Sequence, residues 1–344
     1  MPAVSTDAKH SVVTVIVPAR NEEDCLGRCL QSLVAQTEIQ FEILVVDDHS
    51  SDGTRAIAAS FPDVRVITAG TLPPGWTGKC NAVVCGARQA RGAWLLFTDA
   101  DTVHKPGSLA RAVREAEERG VALLSYSPEQ EVHSLLEKAV MPVIFAELAT
   151  RYKPAEVSDP TSDMAAANGQ YILIGREAYD AVGGHAAIAG SLLEDVELAR
   201  AVKRSGRRIF FRLGADQVRT RMYRTTTQLI EGWTKNLTLL FPSPIKLAAL
   251  RAAEFFAILS SGAFALAFFL RGETTLAICM AAACVLVAFL FFRRILRAHF
   301  TWDSTALAIF GLPFFSFLLL RSVISYQRGG VAWKGRSYTG GAAS

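Results

Sequence analysis

Residues 95–104, LLFTDADTVH, place two carboxylates directly after an apolar stretch. Leu95 to Thr98 suit a buried strand, and Asp99 and Asp101 follow it one residue apart. Like charges this close raise the free energy of a fold unless a cation lies between them. One interpretation is a solvated, aspartate-rich turn. The other is a divalent-metal site, because carboxylate oxygens are ligands that suit Mg²⁺ or Mn²⁺.

The sequence around this stretch alternates short apolar runs with amphipathic segments. Strands are expected at residues 12–17, 41–46, 64–67 and 94–97, and helices at 22–34, 54–60 and 78–90. A β-α-β-α order is typical of a mostly parallel sheet with helices on both faces. The sequence therefore predicts an α/β domain.

Polar clusters follow three of these predicted strands. They are PARNEE at 18–23, VDD at 46–48 and TDAD at 98–101. Ligands of parallel α/β sheets bind at the carboxyl ends of the strands, so the three clusters are expected to converge. This convergence favours a binding site over a solvated turn at Asp99 and Asp101.

The end of the chain has a different character. The protein is 51% hydrophobic and 20% charged, and the excess of apolar residues lies in three stretches, 255–270, 274–292 and 304–320. Each approaches the roughly 17 to 25 residues that cross a bilayer as a helix. Buried core helices are the alternative, which the lack of a polar face disfavours. We therefore expect a domain at 1–240, a membrane region at 241–325 and a basic tail at 326–344.

The remaining composition bears on compartment and partners. The N-terminus is expected to carry no signal peptide, so the first domain is predicted to face the cytoplasm from the inner membrane. The six cysteines have no metal-finger spacing and are interpreted as small apolar residues or free thiols. A net charge of +4 suits an anionic membrane surface better than nucleic acid.

The order of the motifs resembles that of a known family. VIVPARNEE, ILVVDDHSSDGT, FTDAD, NGQYILIGREAYDAVGGH and EDVELA, read in this order over residues 12–240, resemble glycosyltransferase family 2. LPPGWTGK at 72–79, RMY at 221–223, EGWTKN at 231–236 and WKGRSY at 333–338 resemble its membrane-bound, lipid-glycosylating branch. That branch includes the hopanoid-associated and carotenoid-acid glycosyltransferases and, more distantly, ceramide glucosyltransferase. The resemblance implies a GT-A fold, which binds nucleotide-diphospho-sugars, and the activity of a glycosyltransferase, specifically a hexosyltransferase.

The resemblance implies a donor site around the aspartates. Asp99 and Asp101 would form its DxD motif, with Asp101 as the direct ligand of Mg²⁺ or Mn²⁺ bridging the donor diphosphate. Asp47 or Asp48 would contact the base or ribose, with an Asx turn or a helix cap as the alternative. Lys79, at the start of a helix, would contact the diphosphate, with an ordinary solvated lysine as the alternative.

The first polar cluster would line the same pocket. Pro18 would present backbone to the base, and Arg20 and Glu22 would line the nucleotide site. Glu22 and Glu23 have a second interpretation, as acids that favour the N-terminal end of the following helix.

The catalytic base would come from LLEDVELARAVKRSG at 192–206, whose apolar residues have helical spacing. Glu194 and Asp195 stand in its first turn, where acids also favour the helix dipole. The resemblance assigns Asp195 as the general base and leaves Glu194 to contact substrate hydroxyls. One base opposite the leaving group implies a single displacement with inversion.

Further residues would shape the donor-sugar and acceptor pocket. Gly169 and Gln170 precede a predicted strand at 171–174, and His185, which more often is structural, lies in a glycine-rich loop. A second set would close over the diphosphate, with interfacial anchoring as the alternative; it comprises Arg221, Tyr223, Trp233 and Lys235. The QLIEGW sequence at 228–233 departs from the Gln-x-x-Arg-Trp element of processive relatives, which argues against polymer synthesis.

Hydropathy alone does not give a consistent membrane topology. Three crossings would put Arg293, Arg294 and Arg297 inside, as the positive-inside rule prefers, but the basic tail outside. The tail carries a motif expected at the cytoplasmic face, so one apolar stretch is a candidate re-entrant or interfacial segment. Residues 135–152 are expected to form either an interfacial helix that guides lipid or a core helix.

Together these features predict an inverting, metal-dependent transfer of sugar from a nucleotide-diphospho-sugar, a UDP-sugar in the first instance, to a membrane lipid. A polyprenyl-phosphate sugar transferase is an alternative. Its acceptor is already anionic, so Asp195 would matter less as a base. From another class, a non-catalytic membrane anchor that binds a nucleotide or lipid stays open.

Overall fold

A computed structural model describes residues 12–333 and 335–338. Residues 1–11 and part of the predicted basic tail, Lys334 and 339–344, lie outside the described residues. The chain divides into two compact units. The N-terminal unit comprises the chain up to residue 131 together with residues 154–222, and the helical unit comprises residues 132–153 and the chain from 223 onward.

The helices are α1 Leu26–Val34, α2 Thr54–Ala59, α3 Gly78–Gln89, α4 Ser108–Arg119, α5 Leu135–Arg151, α6 Pro154–Ser158, α7 Arg176–Ala181, α8 Glu194–Arg204, α9 Thr226–Leu240, α10 Pro244–Leu270, α11 Thr274–Ile295 and α12 Trp302–Gln327. Short 3₁₀ helices span Gly184–Ala186 and Leu296–Ala298. The strands are β1 Val13–Ala19, β2 Phe41–Asp47, β3 Val64–Thr68, β4 Trp94–Phe97, β5 Thr102–His104, β6 Leu123–Ser127, β7 Glu129–Gln130, β8 Ile172–Gly175, β9 Ile209–Leu213, β10 Val218–Thr220, β11 Val331–Trp333 and β12 Arg336–Tyr338.

Seven strands of the N-terminal unit form one sheet in the order β3-β2-β1-β4-β8-β6-β9. β8 runs antiparallel to both neighbours, and the other pairings are parallel. Val13 of β1 is in register with Phe41 of β2 and with Trp94 of β4. The predicted mostly parallel sheet is confirmed, and β1 and β4 lie side by side near its centre.

Apolar residues fix β1 inside the sheet. Val13, Val15 and Val17 are buried in one core cluster with residues of α1, among them Leu30. Helical spacing in α1 puts these apolar side chains on one face, as the pattern predicts. Truncating a buried leucine such as Leu30 to alanine costs roughly 2–5 kcal/mol, so this packing holds the end of β1 in place.

The predicted start of the first helix is wrong. α1 begins at Leu26, whereas a start near Glu22 was expected. The backbone N–H of Glu22 donates to Thr54 Oγ1 at 2.7 Å, and Asn21 adopts a positive φ of 52°. These features make residues 21–25 a loop between β1 and α1 that contacts the first residue of α2, and the polar side chains there are presented from that loop.

A second sheet of three short strands, β5-β10-β7, belongs to the same unit. β5 follows Asp101 directly, and β10 lies antiparallel to it, with Thr220 paired to Thr102. The hydroxyl of Thr220 donates to the carbonyl oxygen of Asp101 at 3.3 Å. The small sheet therefore fixes the C-terminal end of the aspartate turn, residues 98–101.

The helical unit contains three helices that are long and apolar enough to cross a membrane: α10 with 27 residues, the stretch Thr274–Ala298 with 25, and α12 with 26. The unit also contains α5, which buries Val140, Val143 and Ile144. Of the two interpretations of residues 135–152, this burial favours a packed helix over one whose apolar face is exposed.

Candidate active site

A pocket opens at the carboxyl edge of the large sheet in the N-terminal unit. The end of β1, the end of β4, the first turns of α3 and α8, and the segment before β8 form its walls. Seven of the residues predicted for the site line it: Pro18, Lys79, Asp99, Gly169, His185, Glu194 and Asp195. Clusters that are distant in sequence therefore meet, as the β-α-β order predicts.

Lys79 connects the two acidic clusters of the pocket. Its Nζ lies 2.8 Å from Asp99 Oδ1 and 2.9 Å from Glu194 Oε1. Burial lowers the pKa of the Lys79 ammonium, but the charges of Asp99 and Glu194 outweigh burial, and the pKa lies well above its ordinary value. Lys79 is thus a cation held by two ion pairs within the site, with 34% of its side chain exposed.

Asp195 occupies the first turn of α8 with both carboxylate oxygens positioned by backbone. Its Oδ2 accepts from the N–H of Gly169 at 2.9 Å, and its Oδ1 accepts from the N–H of Val196 at 2.8 Å. Burial and the charge of Glu194 raise the pKa of Asp195 to about 6. A carboxylate with such a pKa is largely ionised at neutral pH and is a stronger base than a solvated aspartate.

Gly169 is placed where a side chain would intrude. A Cβ at this position would lie 3.0 Å from Lys79 Nζ and 3.5 Å from Asp195 Oδ2. The missing side chain lets the backbone N–H approach the carboxylate and leaves room between the charged groups.

The aspartate turn rests on a buried polar network that the sequence analysis missed. Thr98 Oγ1 donates to the carbonyl oxygen of Gln170 at 2.8 Å, and Thr102 Oγ1 donates to that of Asp99 at 2.8 Å. His104 Nε2 lies 3.2 Å from Thr98 Oγ1 and 3.3 Å from Thr102 Oγ1. Burial lowers the pKa of His104 to about 3, so its imidazole is neutral and fixes the two hydroxyls. Thr98, Thr102 and His104 are separated by even numbers of residues, and this spacing was the pattern in the sequence that could have indicated the network.

The first two polar clusters are joined beside this pocket. Arg20 donates from a guanidinium nitrogen to the carbonyl oxygen of Asp48 at 2.7 Å. Asp47 Oδ1 accepts from the N–H of Ser50 at 3.1 Å, which is an Asx-type turn. Asp48 is buried, and the N–H of Asp48 donates to the carbonyl oxygen of Ala19 at 2.8 Å. Asp47 thus has the turn contact that was its alternative interpretation.

His185 and Gln170 lie in the wall of the site. His185 is buried, and its Nδ1 lies 3.1 Å from the hydroxyl oxygen of Tyr179. Its ring packs edge-on against the ring of Phe97, with the two centroids 4.8 Å apart. Burial lowers the pKa of His185 to about 4, which keeps the ring neutral. Gln170 is buried beside the aspartate turn and donates to Thr220 Oγ1 at 3.4 Å.

The last predicted set divides between the two units. Arg221 follows β10 in the N-terminal unit and is half-buried. Tyr223, Trp233 and Lys235 belong to the helical unit. The rings of Tyr223 and Trp233 are buried there with their centroids 6.1 Å apart, and the indole N–H of Trp233 donates to Met141 Sδ at 3.4 Å. The contact between these two rings and the hydrogen bond of Trp233 both lie within that unit.

Asp99 and Asp101 suit a metal ion whose remaining ligands come from bound phosphate groups and water. In the described ranges 12–333 and 335–338, no group of three or more His, Cys, Asp or Glu side chains is placed to hold a metal. One carboxylate oxygen of Asp99 contacts the ammonium of Lys79, and Asp101, two residues further along the chain, is half-buried. Mg²⁺ in nucleotide sites is held by one or two carboxylates plus phosphate oxygens and water, and these two aspartates fit that pattern.

This fold and this site are those of a GT-A domain: a mostly parallel α/β sheet whose carboxyl edge carries an Asp-x-Asp turn and a raised-pKa aspartate. Residues 14–173 match the family model described as "Glycosyl transferase family 2". This match confirms the resemblance to glycosyltransferase family 2 that the motifs predicted. The matched range ends before α8, so the roles of Glu194 and Asp195 rest on geometry.

The chain is similar to "4,4'-diaponeurosporenoate glycosyltransferase" of Staphylococcus aureus. Identity to the protein of strain MRSA252 is 27% over 241 residues, which cover 69% of this chain and 64% of the relative. For strain N315 it is 28% over 232 residues, which cover 67% of this chain and 61% of the relative. This chain therefore matches slightly under two thirds of the length of these relatives.

One solved structure shares the fold over most of the chain. It is the mannosyltransferase PcManGT of Pyrobaculum calidifontis, determined in complex with GDP-Man and Mn²⁺. The TM-score is 0.51 at 18% identity, and the match covers 92% of this chain and 87% of that one.

Proposed function

We propose that this protein is an inverting glycosyltransferase that moves a sugar from a nucleotide-diphospho-sugar to a hydroxyl group of a membrane lipid. The observation that carries the proposal is Asp195, whose carboxylate is oriented by two backbone N–H groups and has its pKa raised to about 6. A binding module has no use for a half-buried base with this pKa, because the ionised form costs stability. Asp195 and Asp99 line the same pocket, so the base would lie close to the diphosphate of a bound donor.

The proposed reaction is a single displacement. The acceptor oxygen forms a bond to the anomeric carbon while the bond from that carbon to the β-phosphate oxygen breaks. The proton of the acceptor hydroxyl passes to the carboxylate of Asp195, and the nucleoside diphosphate leaves on the opposite face. An α-linked donor sugar therefore yields a β-glycoside.

The other residues of the pocket have supporting roles in this proposal. Lys79 places a positive charge where the diphosphate would lie, and its second contact holds Glu194 in position. The N–H groups of Gly169 and Val196 aim the base. Arg20, Asp48 and Pro18 lie at the ends of β1 and β2, where the nucleotide would bind. General-base catalysis of this kind contributes typically 10²–10⁴-fold in rate.

Asp101 and Asp99 would hold Mg²⁺ or Mn²⁺. When bound, this ion neutralises charge on the leaving diphosphate. The shared fold makes the Mn²⁺ in the PcManGT complex a reason to test Mn²⁺ first.

The requirement for a base distinguishes hydroxyl acceptors from anionic ones. A phosphate or carboxylate acceptor has already lost its proton at neutral pH, so replacement of Asp195 would cost little with such a substrate. A raised pKa at Asp195 therefore favours a hydroxyl-bearing lipid over polyprenyl phosphate. The name of the Staphylococcus aureus relatives refers to a carboxylate, 4,4'-diaponeurosporenoate. An apolar carboxylic acid is therefore the second substrate to assay.

The lipid acceptor and the membrane location are proposed from the helical unit, whose three long apolar helices are suited to a bilayer. The proposed location is the inner membrane, with the N-terminal unit in the cytoplasm, where nucleotide-sugars are made.

The test is transfer of label from radiolabelled UDP-glucose, and separately GDP-mannose, into organic-extractable lipid of membranes that contain the full chain. We expect label with wild type and with the exposed-site control Asp63→Asn, abolished by EDTA and restored by Mn²⁺ or Mg²⁺. Asp195→Asn and Asp101→Ala should each lose at least about 100-fold, in line with loss of a base or of charge stabilisation. Absence of label with any nucleotide-sugar in membranes of the native host would instead support the non-catalytic anchor.

A further inference from the structure

Both ends of α12 are fastened to helices that precede α10 in the chain. At its start, Asp303 Oδ2 lies 2.7 Å from Lys138 Nζ in the first turns of α5. Near its end, Ser322 Oγ donates to the carbonyl oxygen of Thr234 at 2.6 Å and accepts from the N–H of Thr238 at 3.0 Å. These contacts tie the last turns of α12 to α9.

The strand that follows α12 also lies beside α9. The hydroxyl of Tyr326 donates to the carbonyl oxygen of Lys235 at 2.7 Å. The ammonium of Lys235 stands 5.5 Å from the centroid of the Trp333 ring in β11. The end of the described chain and α9 are therefore on the same side of any membrane.

α5 and α9 do not cross a bilayer themselves. The chain enters α5 from the N-terminal unit at residue 131 and returns to that unit at residue 154, so this lone helix has both ends on one side. α9 has 15 residues, which span roughly 22 Å at 1.5 Å per residue, against about 30 Å of hydrocarbon. Both helices thus lie on the side from which the chain enters α10.

The three apolar helices also differ in what covers them. In their most apolar stretches, 6% of α10 and 11% of α11 are buried, against 44% of α12. The uncovered surface of α10 includes exposed side chains of Phe256, Leu266 and Phe269. α12 buries Leu312, Phe315 and other residues against its neighbours. Lipid is needed to cover α10 and α11, whereas protein already covers much of α12.

An ionic cluster marks one end of the α10–α11 pair. Arg251 and Arg294 each contact both Glu147 and Glu254, with N–O distances from 2.6 to 3.1 Å. All four side chains are largely buried, so the charges are neutralised within the protein. Beyond this cluster, residues 255–270 of α10 and 274–292 of α11 carry no charge. Their 16 and 19 residues span roughly 24 and 28 Å, close to the thickness of the hydrocarbon core.

We infer that α10 and α11 alone cross the bilayer, as a hairpin whose turn at residues 271–273 reaches the opposite surface. α12 stays on the side of α5 and α9, and the β11–β12 hairpin stays on that side too. Within residues 12–333 and 335–338 the number of crossings is two, because contacts of α12 and β11 with α9 permit only an even number. The partner of the exposed α10–α11 surface is the hydrocarbon of the bilayer, and this inference holds whichever sugar or acceptor the enzyme uses.

The test is labelling of single introduced cysteines with a membrane-impermeant maleimide in sealed inside-out and right-side-out vesicles containing the full chain. The variants are Asp63→Cys, Arg271→Cys, Arg297→Cys and Arg328→Cys, each at an exposed charged residue. Asp63→Cys reports the side of the N-terminal unit. The unmodified protein measures the background from native cysteines, among which the exposed Cys279 lies within the uncharged part of α11.

We expect positions 63, 297 and 328 to label from one side and position 271 from the other, with at least a tenfold preference. Labelling of Arg328→Cys from the side opposite to Asp63→Cys would mean three crossings and would overturn the inference. Labelling of Arg271→Cys from the same side as Asp63→Cys would mean that the hairpin does not cross, and would overturn it as well. Neither result depends on sugar transfer, so failure here is separate from failure of the proposed function.

Discussion

Replacement of Asp195 by asparagine should lower transfer at least about 100-fold and at the same time stabilise the folded N-terminal unit at alkaline pH. The wild-type carboxylate is half-buried, and its burial together with the charge of Glu194 raises its pKa from 3.8 to about 6. A carboxylate that is harder to ionise when folded than when unfolded destabilises the fold once it is ionised. The substitution keeps the shape of the side chain and removes this charge.

The expected gain follows from the size of the pKa shift. About two pKa units correspond to roughly 3 kcal/mol between the ionised and protonated states. Asparagine retains one acceptor for the N–H groups of Gly169 and Val196 and loses the other, which costs about 1 kcal/mol. We therefore expect a net gain of about 1–2 kcal/mol at pH 8, or roughly 2–8 °C in Tm for a unit of this size.

The sign depends on pH. Because the pKa is raised in the folded state, the folded protein binds more protons than the unfolded chain between pH 3.8 and about 6. The contribution of Asp195 to stability is most favourable below the unfolded pKa and is lost as pH rises through the folded pKa. The difference between variant and wild type should thus be large at pH 8 and small at pH 4.

Thermal unfolding of the purified full chain in detergent, followed at pH 4 to 8, measures this difference. Asp63→Asn, an exposed aspartate, is the matched control and should show no pH-dependent gain. If Asp195→Asn is less stable than wild type at pH 8, or if its effect is the same at all pH values, then burial and repulsion do not strain this carboxylate and the argument for a tuned base is refuted.

Three further substitutions test the other parts of the site. Lys79→Met removes the cation that lowers the pKa of Asp195, so the acidic limb of the kcat/KM profile should move above pH 6 and transfer at neutral pH should fall at least about tenfold; an unmoved limb would contradict the contact. Gly169→Ala puts a Cβ 3.0 Å from Lys79 Nζ, so kcat/KM should drop about tenfold with Tm nearly unchanged, and full activity would show that the space is not used. Thr98→Val leaves the buried carbonyl of Gln170 without its donor and should cost about 1–3 kcal/mol in unfolding free energy, whereas Thr98→Ser, which keeps the hydroxyl, should cost less.

Much of the sheet was predictable because its signals are local. The predicted strand at Trp94–Phe97 agrees with the structure, and others shift by one or two residues at their ends. Apolar runs, turn residues and helical spacing are properties of short windows, which a sequence displays directly. The placing of Asp99 after a central strand followed from the same signals, together with the rule that parallel strands present their carboxyl ends on one edge.

The rest depended on contacts between distant residues. Nothing in a local window indicates that Lys79 reaches Glu194, or that Thr98 meets Gln170, more than 70 positions away. The antiparallel direction of β8 also has no local signal, since pairing direction is set by the connection and not by side-chain pattern. The helix expected at Glu22 begins later because Asn21 adopts a positive φ and residues 21–25 form a turn that contacts Thr54, from another cluster.

Hydropathy could not count the crossings for a physical reason. The mean hydropathy of α12 is 2.1, between the 1.9 of α10 and the 2.7 of α11, although 44% of its most apolar stretch is buried by protein. A protein interior and a lipid interior are both apolar, so a helix suited to one has the composition suited to the other. Under the two-crossing arrangement, Arg293 and Arg297 come to the same side as Arg328 and the tail. The positive-inside rule then holds for both basic clusters, and the conflict that three crossings created disappears.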